Sequence, residues 1–262
     1  MTSKTMIETK NLTKKFERKI ALSSLSFSIK QGEMVALIGP SGAGKTTLLN
    51  NIAGLVTADS GELLIDDQPL STYKKGKIFA KKVGVIRQQF DLIGSLAVIH
   101  NVLAGRLSDW GFFKSLLSLL IPQERELALR ALDRVGLSEK VNEITSNLSG
   151  GEQQRVAMAR LLVQKPEIIL ADEPVASLDP ARADDVLAVL TKIVKEENQT
   201  LIASLHSVDY ARKYFNRIIS LKDGEIFFDL PTDQVTDSLL TELYQLKEQR
   251  IDDKTNPLPS FA

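Results

Sequence analysis

The sequence predicts an α/β fold: a mostly parallel sheet, antiparallel strands at its N-terminal end, and a helical subdomain inserted midway. Three observations carry that expectation. Residues 34–38 are a continuous apolar run closed by Gly39, the pattern of a strand buried on both faces. Apolar runs return at 168–171 and 201–205 and alternate with helical patterns at 180–195 and 208–214, which builds a parallel sheet covered on both sides. Residues 89–160 between them read as helix without strands, and so as an insertion.

Taken in order, residues 7–12 and 25–29 alternate apolar and polar side chains and open the chain as two strands. After the run at 34–38, residues 46–53 follow as a helix that Gly54 is placed to end. Residues 61–70 and 82–86 read as strands. Residues 98–107 are apolar at helical spacing, and Pro122 with the acids behind it starts a helix that stops at Gly136. Residues 217–221 and 225–228 flank Lys222, Asp223 and Gly224 as a hairpin. The expected division is an α/β core from 1–88 and 161–230, a helical subdomain from 89–160, and a C-terminal helix with a loose tail over 231–262.

Composition narrows the function. Of 262 residues, 43% are hydrophobic, enough for a large core. The 33 basic and 33 acidic residues cancel, and without a basic block nucleic acid is not an expected partner. The absence of cysteine removes disulfides and thiol chemistry and fits a reducing compartment. The N-terminus has no apolar segment of signal-peptide length, and no run approaches the roughly 20 residues needed to span a bilayer. The expectation is a soluble protein that meets a membrane only through a partner.

The strongest motif is Gly39, Pro40, Ser41, Gly42, Ala43, Gly44, Lys45 and Thr46, followed by Thr47. It is a complete phosphate loop between a strand and a helix, which makes the core a P-loop NTPase core. Its glycines let backbone N–H groups close around phosphate oxygens, and the following helix points its positive end at the same anion. Lys45 would reach the β- and γ-phosphates, and the Thr46 hydroxyl would ligate Mg²⁺. A second motif is the apolar run from 167 that ends in Asp172 and Glu173. Asp172 can hold the metal through water and Glu173 can polarise an attacking water, although an acid pair before Pro174 is also a common helix start. A third is Ser149, Gly150, Gly151 and Glu152, which reads as a capping box. A capping box does not ask for two glycines; with the serine and the helix start they make a second anion site. Two such sites with one set of acids fit together if the second serves a nucleotide held by another copy.

The ordered set of phosphate loop, Gln88, Ser149–Glu152 with the preceding Leu148, Asp172 with Glu173, Ser177 to Asp179, and His206 resembles the ATP-binding-cassette ATPases over about residues 5–230. The resemblance implies ATP and Mg²⁺ as cofactors, a second copy as partner, and membrane permease subunits beyond it. It implies that Phe16 stacks on adenine and that Gln88, at the hinge to the insertion, senses the metal and the attacking water. It implies that Ser149 and Gly151 bind the γ-phosphate of the partner's ATP, that Asp179 crosses the dimer interface, and that His206 contacts the γ-phosphate. By itself Phe16 reads as core more readily than as an adenine platform, and His206 reads also as a strand-end surface residue. Arg87 departs from the pattern, since the family commonly has an aromatic before the glutamine. His100 has no motif around it and reads as structural.

Within the family the sequence is most similar to the ATPase subunits of phosphonate or phosphite importers. Residues 101–106, the long 110–121 insertion, 171–180 and 205–211 carry that likeness. The resemblance then implies a peripheral protein on the cytoplasmic face of the cell membrane, served indirectly by a solute-binding protein. An amino-acid importer, a lipoprotein exporter subunit or a soluble non-transport cassette ATPase remain the alternatives. Phe112, Phe113, Leu116, Leu117 and Leu120 follow helical spacing. They are read either as buried within the insertion or, preferably, as lying beside the groove for a permease helix.

Overall fold

The computed structural model describes residues 4–17, 19–73, 76–87, 90–176 and 178–245. Its strands are β1 (Thr5–Phe16), β2 (Lys19–Lys30), β3 (Met34–Ile38), β4 (Ser60–Ile65), β5 (Gln68–Pro69), β6 (Val83–Ile86), β7 (Ile168–Asp172), β8 (Thr200–Ser204), β9 (Arg217–Lys222) and β10 (Glu225–Pro231). Its helices are α1 (Lys45–Ile52), α2 (Lys77–Lys82), α3 (Val98–Leu103), α4 (Phe112–Leu120), α5 (Arg125–Arg134), α6 (Gly150–Gln164), α7 (Pro180–Glu196), α8 (Val208–Tyr214) and α9 (Asp237–Tyr244).

The strands form a four-stranded sheet in the order β2-β1-β4-β5, all antiparallel, and a six-stranded sheet in the order β10-β9-β3-β8-β7-β6. In the larger sheet every pairing is parallel except β9 with β10. Side chains alternate across β3. Met34, Ala36 and Ile38 join the core shared with α3 and α5 to α8, while Val35 and Leu37 join the core shared with α1 and the antiparallel sheet. All five β3 residues are buried, as are all five of β8, which is why these segments read as unbroken apolar runs.

Three local expectations change, and one helix is added. Residues 61–70 are not one strand. Asp66 and Asp67 both adopt positive φ and fold the segment into the β4–β5 hairpin, as a two-residue turn of that hand requires. Helix α2 precedes β6 and was not legible, since its six residues are too short to show a period. Residues 98–107 form α3 and then a 3₁₀ turn at Ala104–Arg106. Pro122 does not start α5, which begins at Arg125. Glu124 is held at φ 56° outside the helix, where its carboxylate accepts from Trp110 Nε1 (3.0 Å), Lys114 Nζ (2.6 Å) and Arg106 Nε (3.1 Å).

The 110–121 segment is divided. Trp110 is buried, whereas Phe112 and Phe113 are 76% and 85% exposed, and Leu116, Leu117 and Ile121 are also exposed. The reading that buried these side chains in the insertion fails, because polar anchors hold the helix at its base and leave its apolar face outward. Lys77 Nζ donates to the Trp110 carbonyl at 2.7 Å, and His100 Nδ1 lies 3.2 Å from the Ser118 carbonyl. The Leu120 side chain, Gln88, Ser177 and the tail after Arg250 lie outside the described residues.

Candidate active site

The loop from Gly39 to Gly44 joins the C-terminal end of β3 to α1, at the end of the parallel strands where an α/β sheet opens its crevice. Two glycines are dictated by close approach. A Cβ on Gly39 would lie 2.1 Å from the Leu221 carbonyl oxygen, and one on Gly44 2.5 Å from that of Ala21. Both have positive φ, 143° and 108°. The β9–β10 hairpin braces the loop from behind, with the Gly224 amide donating to the Ala43 carbonyl at 3.2 Å.

Lys45 is buried, and its ammonium lies across the loop, donating to the carbonyls of Gly39 (2.8 Å) and Pro40 (3.2 Å). Burial lowers its pKa, opposed by the charges of Glu173 and Asp172. Thr46 Oγ1 donates to Asp172 Oδ1 at 3.2 Å, so the hydroxyl of the loop and the acid at the end of β7 meet across 126 residues of sequence. These are hard oxygen ligands of the kind Mg²⁺ takes alongside phosphate oxygens and water. Among the described residues no group of three or more His, Cys, Asp or Glu converges into a metal site.

Ser204 was not singled out from the sequence, and it organises both acids. It ends β8 opposite Asp172, is fully buried, donates its hydroxyl to Asp172 Oδ1 at 2.7 Å and accepts from the Glu173 amide at 2.8 Å. The available signal was a lone hydroxyl closing an apolar strand just before His206. Glu173 sits at φ 50°, and its Oε1 lies 2.6 Å from His206 Nε2. Phe16 is half exposed at the end of β1, with Lys14 Nζ 5.2 Å from its ring centre. It lines one open cleft of about 310 Å³ with Ser41 to Thr47, Glu173 and His206.

Ser149, Gly151 and Glu152 lie elsewhere, lining a separate cleft of about 240 Å³ with Gly136, Arg155, Arg182 and Asp185. The capping box forms. Ser149 Oγ accepts from the Glu152 amide at 3.4 Å, and the Glu152 carboxylate accepts from the Ser149 amide and hydroxyl, each at 2.8 Å. Those bonds hold the Glu152 pKa below the usual carboxylate value, the backbone one contributing most. A Cβ on Gly150 or Gly151 would find its nearest neighbours at 3.7 and 3.8 Å, ordinary contact distances. Packing among the described residues does not require these glycines. Asp179 caps α7, accepting from the Arg182 amide at 3.1 Å, and its side chain is half exposed. Gln88 is outside the described residues, while Arg87 pairs with Asp91 at 3.4 Å.

A family model described as ABC transporter matches residues 22–176. The phosphonates import ATP-binding protein PhnC 1 of Nostoc sp. is 46% identical over 250 residues, covering 93% of this chain and 94% of that protein. PhnC 3 of Halalkalibacterium halodurans is 44% identical, covering 92% of this chain and 95% of that protein. Among solved structures, the dimeric bacterial ABC transporter cassette MJ0796 matches with a TM-score of 0.75 at 36% identity, covering 87% of this chain and 99% of that one. The ADP conformation of the cassette MJ1267 matches with a TM-score of 0.77 at 25% identity, covering 91% and 94%.

Proposed function

The chain belongs to the ABC transporter family of ATPases, and from that membership we propose that it drives uptake of phosphonate (or phosphite) as the ATP-hydrolysing subunit of an importer. Likeness to phosphonate-import ATP-binding proteins over more than nine-tenths of the chain is the observation that carries the substrate class. No described helix is long and apolar enough to cross a membrane. As the ATPase subunit of an importer, the protein would sit peripherally on the cytoplasmic face, held by permease subunits and fed indirectly by a solute-binding protein.

The mechanism is a nucleotide sandwich between two copies. The phosphate loop and Lys45 bind the phosphates, and Phe16 supports the adenine. Thr46 and Asp172, with Gln88, would hold Mg²⁺, whose charge would offset that of the phosphates. Ser149 and Gly151 of one copy complete the site of the other, with Gly150 and Glu152 shaping that helix start and Asp179 crossing between copies. The separation of the two clefts supports this, since they share no lining residue. Glu173 orients water for in-line attack and takes its proton, and His206 contacts the γ-phosphate and steers the Glu173 carboxylate. The outward apolar face of α4 serves the permease, as an exposed patch of that kind marks a partner site.

The test is a tagged pull-down from gently solubilised native membranes, followed by ATPase assays with 2-aminoethylphosphonate and the recovered binding protein. Co-recovery of a permease whose ATPase rises with the phosphonate is the expected result. A permease without that response would discard the substrate, and recovery of no permease would discard the transport reading. Phe113→Ser with Leu117→Ser should abolish co-recovery without lowering Tm, because both side chains are already exposed.

A further inference from the structure

Helix α6 starts at the Ser149 cap and runs unbroken to Gln164, and its side chains bind the chain on both sides of strand β6. Toward the start of β6, Gln164 Nε2 donates to the carbonyls of Ala80 (2.7 Å) and Val83 (3.2 Å). Beyond its end, Arg160 Nη1 donates to the Asp91 carbonyl at 2.8 Å and Nη2 to the Phe90 carbonyl at 2.9 Å. Phe90 and Asp91 both have positive φ, 59° and 47°, a conformation disfavoured for residues with a Cβ. A planar fork with two parallel N–H groups is suited to hold two successive carbonyls in such a bend. The backbone of Arg160 is equally constrained, since a Cβ on Gly105 would lie 2.4 Å from its carbonyl oxygen.

Arg160 is an expensive way to hold a bend. Burial disfavours its charged form, opposed only by the Asp91 charge, and among the described residues no carboxylate forms an ion pair with it. An apolar side chain would leave the Phe90 and Asp91 carbonyls without these donors, and a single neutral amide does not offer two parallel N–H groups, so the guanidinium is fitted to this two-point clamp. We infer that Arg160 is a positioning residue that ties the bend at residues 90–91 to helix α6, so that this bend and the Ser149–Gly151 helix start change place together. At 1.5 Å per residue the helix start lies roughly 16 Å from Arg160, and a rigid helix carries a tilt over that length. A shift of residues 90–91 would then be felt at the Ser149–Gly151 helix start.

The inference rests on the sandwich reading above, but one arm of its test does not. In the isolated chain, Arg160→Gln should speed amide hydrogen exchange at residues 90–92, a result independent of dimer formation. It should leave ATP affinity, read with a fluorescent analogue, within about twofold while kcat for ATP falls about tenfold. Arg160→Lys, which keeps the charge but loses the fork, should restore part of kcat, and it carries the comparison if the glutamine variant does not fold. Unchanged exchange at 90–92 would overturn the clamp. Losses in kcat and ATP affinity that simply follow a fall in Tm across both variants would reduce Arg160 to a structural role and overturn the coupling.

Discussion

Ser204 donates to Asp172 and accepts from the Glu173 amide, so a single buried hydroxyl aligns the acid beside Thr46 with the acid beside His206. Removing it leaves the Glu173 amide without its acceptor, a cost of about 1–3 kcal/mol. Ser204→Ala should therefore lower Tm by a few degrees in a thermal melt and reduce kcat about tenfold, since Glu173 loses its anchor rather than its chemistry. Glu173→Gln separates the two effects. It keeps the size and the backbone bond but removes the proton acceptor, so hydrolysis should fall by about 100-fold or more while ATP still binds. Gel filtration should then show an ATP-dependent dimer, and near-normal turnover would sink the base assignment. The types and positions of Lys45, Thr46, Asp172 and Glu173 were legible because each motif is contiguous in sequence. Ser204 was not, because its meaning depends on β8 pairing with β7.

Helix α4 shows what a period can and cannot say. The spacing of Phe112, Phe113, Leu116 and Leu117 gives one apolar face, and that face could pack inward or outward with the same pattern. Its direction is decided by Glu124, which binds Lys114, Trp110 and Arg106 at the base of the helix. Lys114 most strongly holds the Glu124 pKa below its ordinary value of 4.5, with Trp110 and Arg106 adding to it. A carboxylate depressed in the fold contributes stability that is fully present above the unfolded value and lost as pH falls through the folded one. Trp110 is the single tryptophan of the chain, so its fluorescence reports this anchor directly. Acid titration should change that emission only below about pH 4.5. In Glu124→Ala the change should already be present at pH 7, and an unaltered spectrum would remove Glu124 as the anchor.

At the scale of the molecule, the phosphate-loop cleft and the Ser149 cleft lie apart on one chain, and the sandwich reading makes each half of a site. Complementation tests that arrangement without a permease. Lys45→Ala disables the loop side and Ser149→Phe the opposite side, so each variant alone should lack hydrolysis. A mixture should recover it, because one of the two sites in a mixed dimer then combines an intact loop with an intact helix start. Failure of the mixture, with both variants folded and still binding one another, would mean that the helix start at Ser149 does not serve a partner's nucleotide.

The sequence by itself determined the parallel core, the phosphate loop, the acid pair and the capped helix start. Each is a local pattern whose cause, burial on both faces or closure around an anion, acts within a few residues. It did not determine the β4–β5 hairpin, the start of α5, the direction of α4, or the roles of Ser204 and Arg160. The hairpin turns on two aspartates at positive φ, a conformation that composition does not announce. The others depend on partners far along the chain: Glu124 with Trp110, Ser204 with Asp172, and Arg160 with Phe90 and Asp91. Such contacts form only when the sheet order and the packing of α6 bring distant segments together, and that decision belongs to the tertiary structure.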